Sequence, residues 1–295
     1  MPFVATLIAH PSNPILSASI GEAAASAISP SGLYWLCDGV ACDIALPDGF
    51  DLAEAHAAIS AIIGDLPIDI AIQDAEKRRK KLLIADMDST MIEQECIDEL
   101  AAEVGLKDKV AEITARAMNG ELNFEFALRE RVGLLKGLSL SVVGDVIKNR
   151  ISLMSGGKTL VATMKKNGAY CALVSGGFTV FTGPISKEIG FDEHRSNILL
   201  DADGILTGEV ADPILGKQAK VDALNEISDR IGITPEEAIA VGDGANDLGM
   251  LQLAGSGVAL HAKPTVAAQA KIKLDHSDLT ALLYLQGYRK TDFAD

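Results

Sequence analysis

The segment LLIADMDST, residues 82–90, ends an apolar run in two carboxylates two positions apart, Asp86 and Asp88, and follows them with two hydroxyls. A carboxylate so placed can attack an electrophile and form a covalent intermediate, while a second carboxyl beside it moves protons. Taken alone, the pattern also reads as a polar turn with Ser89 or Thr90 capping a helix. Two further apolar runs end in a related way. VSGGF, residues 174–178, reaches Ser175 and the glycines 176 and 177, a hydroxyl beside backbone N–H groups that can approach a phosphate closely. VGDGAND, residues 241–247, supplies Asp243, Asn246 and Asp247, and Lys220 lies between those two runs. Each piece alone is also a loop, a turn or an exposed lysine. Their joint appearance, in order, points to one site at the carboxyl ends of three strands.

DMDST, VSGG, an upstream lysine and GDGAND resemble the four motifs of the haloacid dehalogenase superfamily of phosphohydrolases, over about residues 80–285. The resemblance implies phosphoryl transfer through Asp86 with Mg²⁺ as cofactor. The chemistry agrees, because a phosphate monoester is anionic and repels a carboxylate nucleophile unless a cation and fixed donors offset the charge. Asp86 and Asp243 offer hard oxygen ligands, and the family adds the backbone carbonyl of Asp88. Lys220, the Ser175 hydroxyl and the N–H groups near Gly176 would bind the transferring oxygens. Asp86 would become an aspartyl phosphate and Asp88 would serve as general acid and then base. Asp247 is expected behind them, holding Lys220 or a metal-bound water, with Asn246 at the substrate phosphate or its neighbouring groups.

Substrate choice should come from outside these motifs. Among Glu93, Glu95, Asp98, Glu99, Arg129 and Arg131, charge alone selects no pair. The segments MDSTMIEQECIDELA and LNFEFALRERVGLLKG, however, resemble those of the bacterial and archaeal phosphoserine phosphatases, over roughly the last 215 residues. In that family, positions matching Glu95 and Arg131 hold the ammonium and carboxylate of serine, and Met118 and Phe124 match apolar pocket positions. The resemblance implies hydrolysis of O-phospho-L-serine, the last step of L-serine biosynthesis. Alternatives on the same core are a phosphotransferase that passes the phosphoryl group to homoserine, a generic small-molecule phosphatase, or a sensor with a silent core.

These residues need elements to place them. From residue 80 onward the apolar runs LLIAD, AYCALVS, AIAVGD and GVAL alternate with helical stretches, the pattern of a parallel sheet covered on both faces. About ninety residues between the first two runs carry only helical periodicity, too many for a simple crossover, and predict an inserted helical cap at about residues 94–154. The expected fold is α/β, a Rossmannoid core over residues 80–93 and 155–290 within a catalytic domain of residues 80–295. NILLDADGILTGEV predicts a hairpin at Asp203-Gly204. Residues 1–75 read as strand, helix, two strands, helix and strand, a small α+β domain that resembles the ACT-like regulatory domains, and the basic run at 77–81 reads as a solvated linker.

A formal net charge of -15 disfavours a nucleic-acid partner, which would require basic surface. Cys37, Cys42, Cys96 and Cys171 form neither a CxxC pair nor a disulfide framework, so a reducing compartment is expected. No basic leader precedes a long apolar stretch, and no segment reaches the ~18 apolar residues of a membrane span. The expectation is a cytoplasmic protein acting on a small molecule, compatible with a homo-oligomer.

Overall fold

The computed structural model describes residues 3–28, 32–119 and 121–294. The chain opens with β1 (Phe3–Ala9), α1 (Ala18–Ile28), β2 (Leu33–Cys37), β3 (Ala41–Ala45), α2 (Leu52–Ile63) and β4 (Ile68–Asp74). It continues through β5 (Leu82–Ala85), α3 (Cys96–Ala102), α4 (Lys107–Met118), α5 (Phe124–Gly133), α6 (Val142–Arg150), α7 (Gly157–Lys166), β6 (Tyr170–Phe178) and α8 (Thr179–Ile189). The later elements include β7 (Glu193–Asn197), β8 (Leu199–Ala202), β9 (Ile205–Val210), α9 (Lys217–Ile231), β10 (Ala238–Gly242), α10 (Leu248–Leu253) and β11 (Ser256–Leu260).

Two compact units divide these elements. One comprises Met1–Lys81, Ser155–Ala169 and Ile272–Asp295, and the other Leu82–Met154 and Tyr170–Lys271. In the first, an antiparallel sheet runs in the order β2-β3-β1-β4. Alternation along β1 and β3 sends Ala5, Leu7, Cys42 and Ile44 into a core shared with Ala24, Ala55 and Ile59 of the two helices. The element order is the one expected from the turn signals. Asp51 caps α2 by accepting from the Glu54 N–H at 2.9 Å.

The second unit holds a parallel sheet in the order β11-β10-β5-β6-β7. Every residue of β5 and β10 is buried, because helices cover both faces of the sheet and each strand can be apolar throughout. Leu82, Ile84, Ala172, Val174, Ala240 and Ala259 pack with Leu224 and Ile227 of α9 into its core. The strand order reverses at β5, which has β6 on one side and β10 on the other, so a crevice forms beyond its carboxyl end. Four helices, α3 to α6, fill the long stretch between β5 and residue 150. The β8–β9 hairpin turns at Asp203 and Gly204, both with positive φ, as the two-residue turn requires. One boundary differs from expectation: β6 continues through the glycine pair to Phe178, and α8 begins only at Thr179.

Candidate active site

Register brings the motifs together. Ala85 pairs with Val241 on one side and Leu173 on the other, so Asp86 and Asp243 lie just beyond the ends of β5 and β10, level with Ser175 of β6, which follows the last β5–β6 pair. The Asp86 N–H donates to Val241 O at 3.0 Å, extending the ladder by one residue. The chain then turns sharply. The Met87 carbonyl accepts from the N–H groups of Thr90, Met91 and Ile92, and Ser89 takes a positive φ of 53°. A strand-like alternation sends Asp86 and Asp88 to one side of this turn, while Met87 is buried.

Asp88 is fixed from two directions. Its Oδ1 accepts from the Cys96 N–H at 2.8 Å, and its Oδ2 accepts from the Ser175 hydroxyl at 3.2 Å. The Ser175 oxygen in turn accepts from the Gly177 N–H at 2.8 Å. Neither glycine could carry a side chain here: a Cβ at Gly177 would stand 2.7 Å from Asp88 Oδ2, and one at Gly176 would stand 2.8 Å from the Phe124 ring. Burial pushes the Asp88 carboxyl above its ordinary range, against the lowering exerted by the Cys96 and Ser175 bonds. A carboxyl held proton-rich in this way can act as an acid.

Lys220 is wholly buried between two carboxylates. Its Nζ donates to Asp247 Oδ1 at 2.6 Å and lies 2.7 Å from Asp86 Oδ1, an ion pair out of hydrogen-bond alignment. Burial would lower its pKa, but Asp247 and Asp86 more than offset that, and the ammonium is held charged above its usual range. Asp247 Oδ2 also accepts from the Gly244 N–H at 3.0 Å. The carboxylate oxygens of Asp86, Asp243 and Asp247 lie within 4.8 Å of one another. Burial raises the Asp86 pKa well above its usual range, with Asp247 adding to the effect and Lys220 opposing it. Burial also pushes Asp243 up, to about 7, with Asp247 next in weight and Lys263 and Lys220 pulling it down.

This acidic cluster fits a hard divalent cation. Among the described residues no hydrogen bond reaches the buried Asp86 Oδ1, Asp243 Oδ2 or Asn246 Oδ1; the first two have only ion pairs, with Lys220 at 2.7 Å and Lys263 at 3.7 Å, so each has acceptor capacity left for a cation. Three carboxylates stand against one fully buried ammonium, and all the candidate donors are oxygens.

Across the pocket stand residues of the helical segment between β5 and β6. Asp86, Asp88, Gly176, Gly177, Asp243 and Asn246 line one side, and Glu95, Ile97, Phe124, Leu128 and Arg131 the other. Glu95 occupies the position before α3 without capping it, and its Oε1 accepts from the Ser89 hydroxyl at 2.8 Å. Burial raises its pKa well above the usual range, with Asp88 and Asp243 adding to the effect. Arg131 is 2% exposed; burial lowers its pKa, opposed by Glu95, Asp98 and Asp88. Its Nε donates to Ala127 O at 3.1 Å and its Nη1 to Thr114 Oγ1 at 2.9 Å. Phe124 lies in the pocket wall, whereas the Met118 side chain lies outside the described residues.

Asp86, Asp88, Glu95, Arg131, Ser175, Gly176, Lys220, Asp243, Asn246 and Asp247 thus lie in one unit, around one pocket. Sequence reading missed Asn197, whose Nδ2 donates to Gly176 O at 2.8 Å and whose Oδ1 accepts from the Leu215 N–H at 2.7 Å, fixing the glycine segment. It also missed Thr114 behind Arg131, though a lone inward hydroxyl in KVAEITARAM was a readable signal, and it gave Asp98 only as one of several interchangeable charges.

A family model for haloacid dehalogenase-like hydrolases matches residues 83–252, which carry three of these strand-end motifs, Lys220 and the helices between them. The chain belongs to this hydrolase family. A phosphoserine phosphatase of Mycobacterium tuberculosis is 38% identical over 84% of this chain. The chain spans only 61% of that relative's length. A phosphoserine phosphatase of Polaromonas is 44% identical over 75% of this chain and 95% of its own. A solved structure, described as a phospho-aspartyl intermediate analogue of phosphoserine phosphatase, superposes with a TM-score of 0.67 at 41% identity, covering 70% of this chain and 98% of that one. Among the described residues, no helix of the chain is long and apolar enough to cross a membrane.

Proposed function

We propose that this chain is a Mg²⁺-dependent phosphoserine phosphatase that hydrolyses O-phospho-L-serine to L-serine and phosphate. One observation carries the reading: a single pocket has nucleophile and acid on its sheet side, with Lys220 ion-paired to that nucleophile, and two opposite charges, Glu95 and Arg131, on its helical side. Those two charges complement the ammonium and carboxylate of an amino acid, and Arg131 has the planar fork that binds a carboxylate bidentately. The names of the relatives support the same substrate.

In the first step an Asp86 oxygen bonds to phosphorus while the bond from phosphorus to the serine oxygen breaks. The proton of Asp88 goes to that leaving oxygen, which needs the raised proton affinity its burial provides. Lys220, the Ser175 hydroxyl and the N–H groups of the glycine pair hold the equatorial oxygens. In the second step Asp88 takes a proton from water, the water oxygen bonds to phosphorus, and the bond to Asp86 breaks, releasing phosphate. Asp86, Asp243 and the Asp88 carbonyl would hold Mg²⁺, with Asp247 beside them, and the ion would neutralise charge on the phosphoryl group. Asp247 orients Lys220 through their 2.6 Å bond, and Asn246 faces the phosphate.

The division into an amino-terminal domain of residues 1–75 and a catalytic domain of residues 80–295, with residues 94–154 as cap, belongs to the same proposal, as do a role in L-serine biosynthesis and a cytoplasmic location. A parallel assay of L-phosphoserine, L-phosphothreonine and glucose 6-phosphate tests the substrate. Phosphoserine should exceed the sugar phosphate in kcat/KM by at least about a hundredfold, the discrimination expected when buried charges must be matched. Equal rates on all three would reduce the chain to a generic phosphatase.

A further inference from the structure

Three helices of the cap meet behind the pocket wall in a chain of hydrogen bonds that the reaction itself does not use. Arg131 on α5 donates from Nη1 to Thr114 Oγ1 on α4, at 2.9 Å. Thr114 Oγ1 lies 2.7 Å from Asp98 Oδ1 on α3 and 3.0 Å from Val110 O on its own helix. A hydroxyl has one proton, and the shorter, charge-assisted bond to the carboxylate takes it. That choice fixes the polarity of the chain, since the Thr114 lone pairs are then left for the guanidinium. Thr114 is 3% exposed, so water does not readily substitute for either partner. Arg131 Nε is tied to Ala127 O, and among the described residues no acceptor bonds Nη2. The guanidinium is thus anchored at Nε and Nη1, and Arg131 lines the pocket together with Glu95.

We propose that Thr114 and Asp98 are positioning residues that set the specificity of the site, holding Arg131 so that its free donors meet the carboxylate of the substrate. The alternative, that Thr114 only bonds back to Val110 as helical threonines often do, leaves its shorter bond to another helix and its bond from Arg131 unaccounted for. The inference rests on the reading of Arg131 as the carboxylate partner of phosphoserine. It extends that reading to two residues that touch no substrate, and it makes the preference for an amino-acid ester depend on a hydroxyl on the far side of the arginine.

Steady-state kinetics of wild type, Thr114→Val and Thr114→Ser on L-phosphoserine and on O-phosphoethanolamine, which lacks the carboxylate, provide the test. Thr114→Val should raise the KM for phosphoserine about tenfold or more, the size of a hydrogen bond to a charged group, with kcat nearly unchanged. Its kcat/KM on phosphoethanolamine should stay at the wild-type value, and Thr114→Ser should restore the phosphoserine KM. Equal losses on both esters, or no loss on phosphoserine, would overturn the relay. Wild-type enzyme that fails to discriminate between the two esters would instead refute the role of Arg131, and the relay with it. Should Thr114→Val not fold, Asp98→Asn carries the same comparison, with a smaller phosphoserine-specific rise in KM expected because an asparagine oxygen still accepts from Thr114.

Discussion

Replacing Lys220 by methionine removes a charge and keeps most of the volume, so its consequences can be worked from distances alone. Nζ lies 2.6 Å from Asp247 Oδ1 and 2.7 Å from Asp86 Oδ1 and is fully buried. At an effective dielectric constant of about 20, each pair is worth about 6 kcal/mol of gross attraction, most of which repays the cost of burying the ions. What the variant exposes is the penalty of leaving buried carboxylates uncompensated, about 3–5 kcal/mol. For a unit of this size the unfolding midpoint in chelator should fall by on the order of 10 °C. The loss also has a sign with pH. Without the ammonium, the Asp86 pKa rises further above its unfolded value, so its charged form is penalised more as pH increases. The destabilisation should therefore be larger at about pH 8 than at about pH 5.5, where the carboxylates take up protons instead. Urea unfolding of wild type and Lys220→Met in chelator at both pH values measures it. Stability within about 1 kcal/mol of wild type, or a loss that grows toward acid pH, would refute the electrostatic account.

Asp88→Asn keeps an acceptor for the Cys96 N–H and should unfold near the wild-type midpoint, yet lose about 10²–10⁴ in turnover. In wild type, kcat/KM should fall on the alkaline side as Asp88, held above the carboxylate range by burial, loses its proton, and the variant should lack that limb. An excess of chelator should abolish activity and added Mg²⁺ restore it, whereas unchanged turnover would exclude the metal. Because Asp243 without a cation is pushed to about 7, Mg²⁺ binding near neutrality should release protons and tighten as pH rises, which calorimetry in buffers of different ionisation enthalpy detects.

The sheet side of the pocket was legible because parallel strands announce themselves as apolar runs, and their carboxyl ends are where polar residues of a crevice must fall. Asp86 and Asp243 are each one step past a buried strand, and Ser175 follows the buried, paired part of β6. In the helical segment between β5 and β6, the choice of Glu95 and Arg131 among the charged residues came only through family resemblance. Arg129 and Arg131 are two positions apart, which on a helix sends them to nearly opposite faces: Arg129 pairs with Asp212 at the surface, while Arg131 is buried. Nothing local in LRERV says which face looks inward. Glu95 and Asp98 present the same difficulty, since residues three apart share a helix face. The structure separates them by partners, Ser89 for one and Thr114 for the other. Asn197 supports Gly176 from 21 positions away, a contact without periodicity to betray it. In the amino-terminal unit the turn signals gave the order of elements, but the pairing β2-β3-β1-β4 joins strands far apart in sequence and follows from packing of their apolar faces on α1 and α2.

The central claim is that the phosphoryl group passes through Asp86. Acid quenching of the enzyme during turnover of L-phosphoserine, followed by peptide mass mapping, tests it directly. The account predicts a phosphoryl group on Asp86 in wild type and its absence, together with loss of phosphate release, in Asp86→Asn. Phosphate release that persists in Asp86→Asn, or a phosphoryl group found on any other residue, would contradict it.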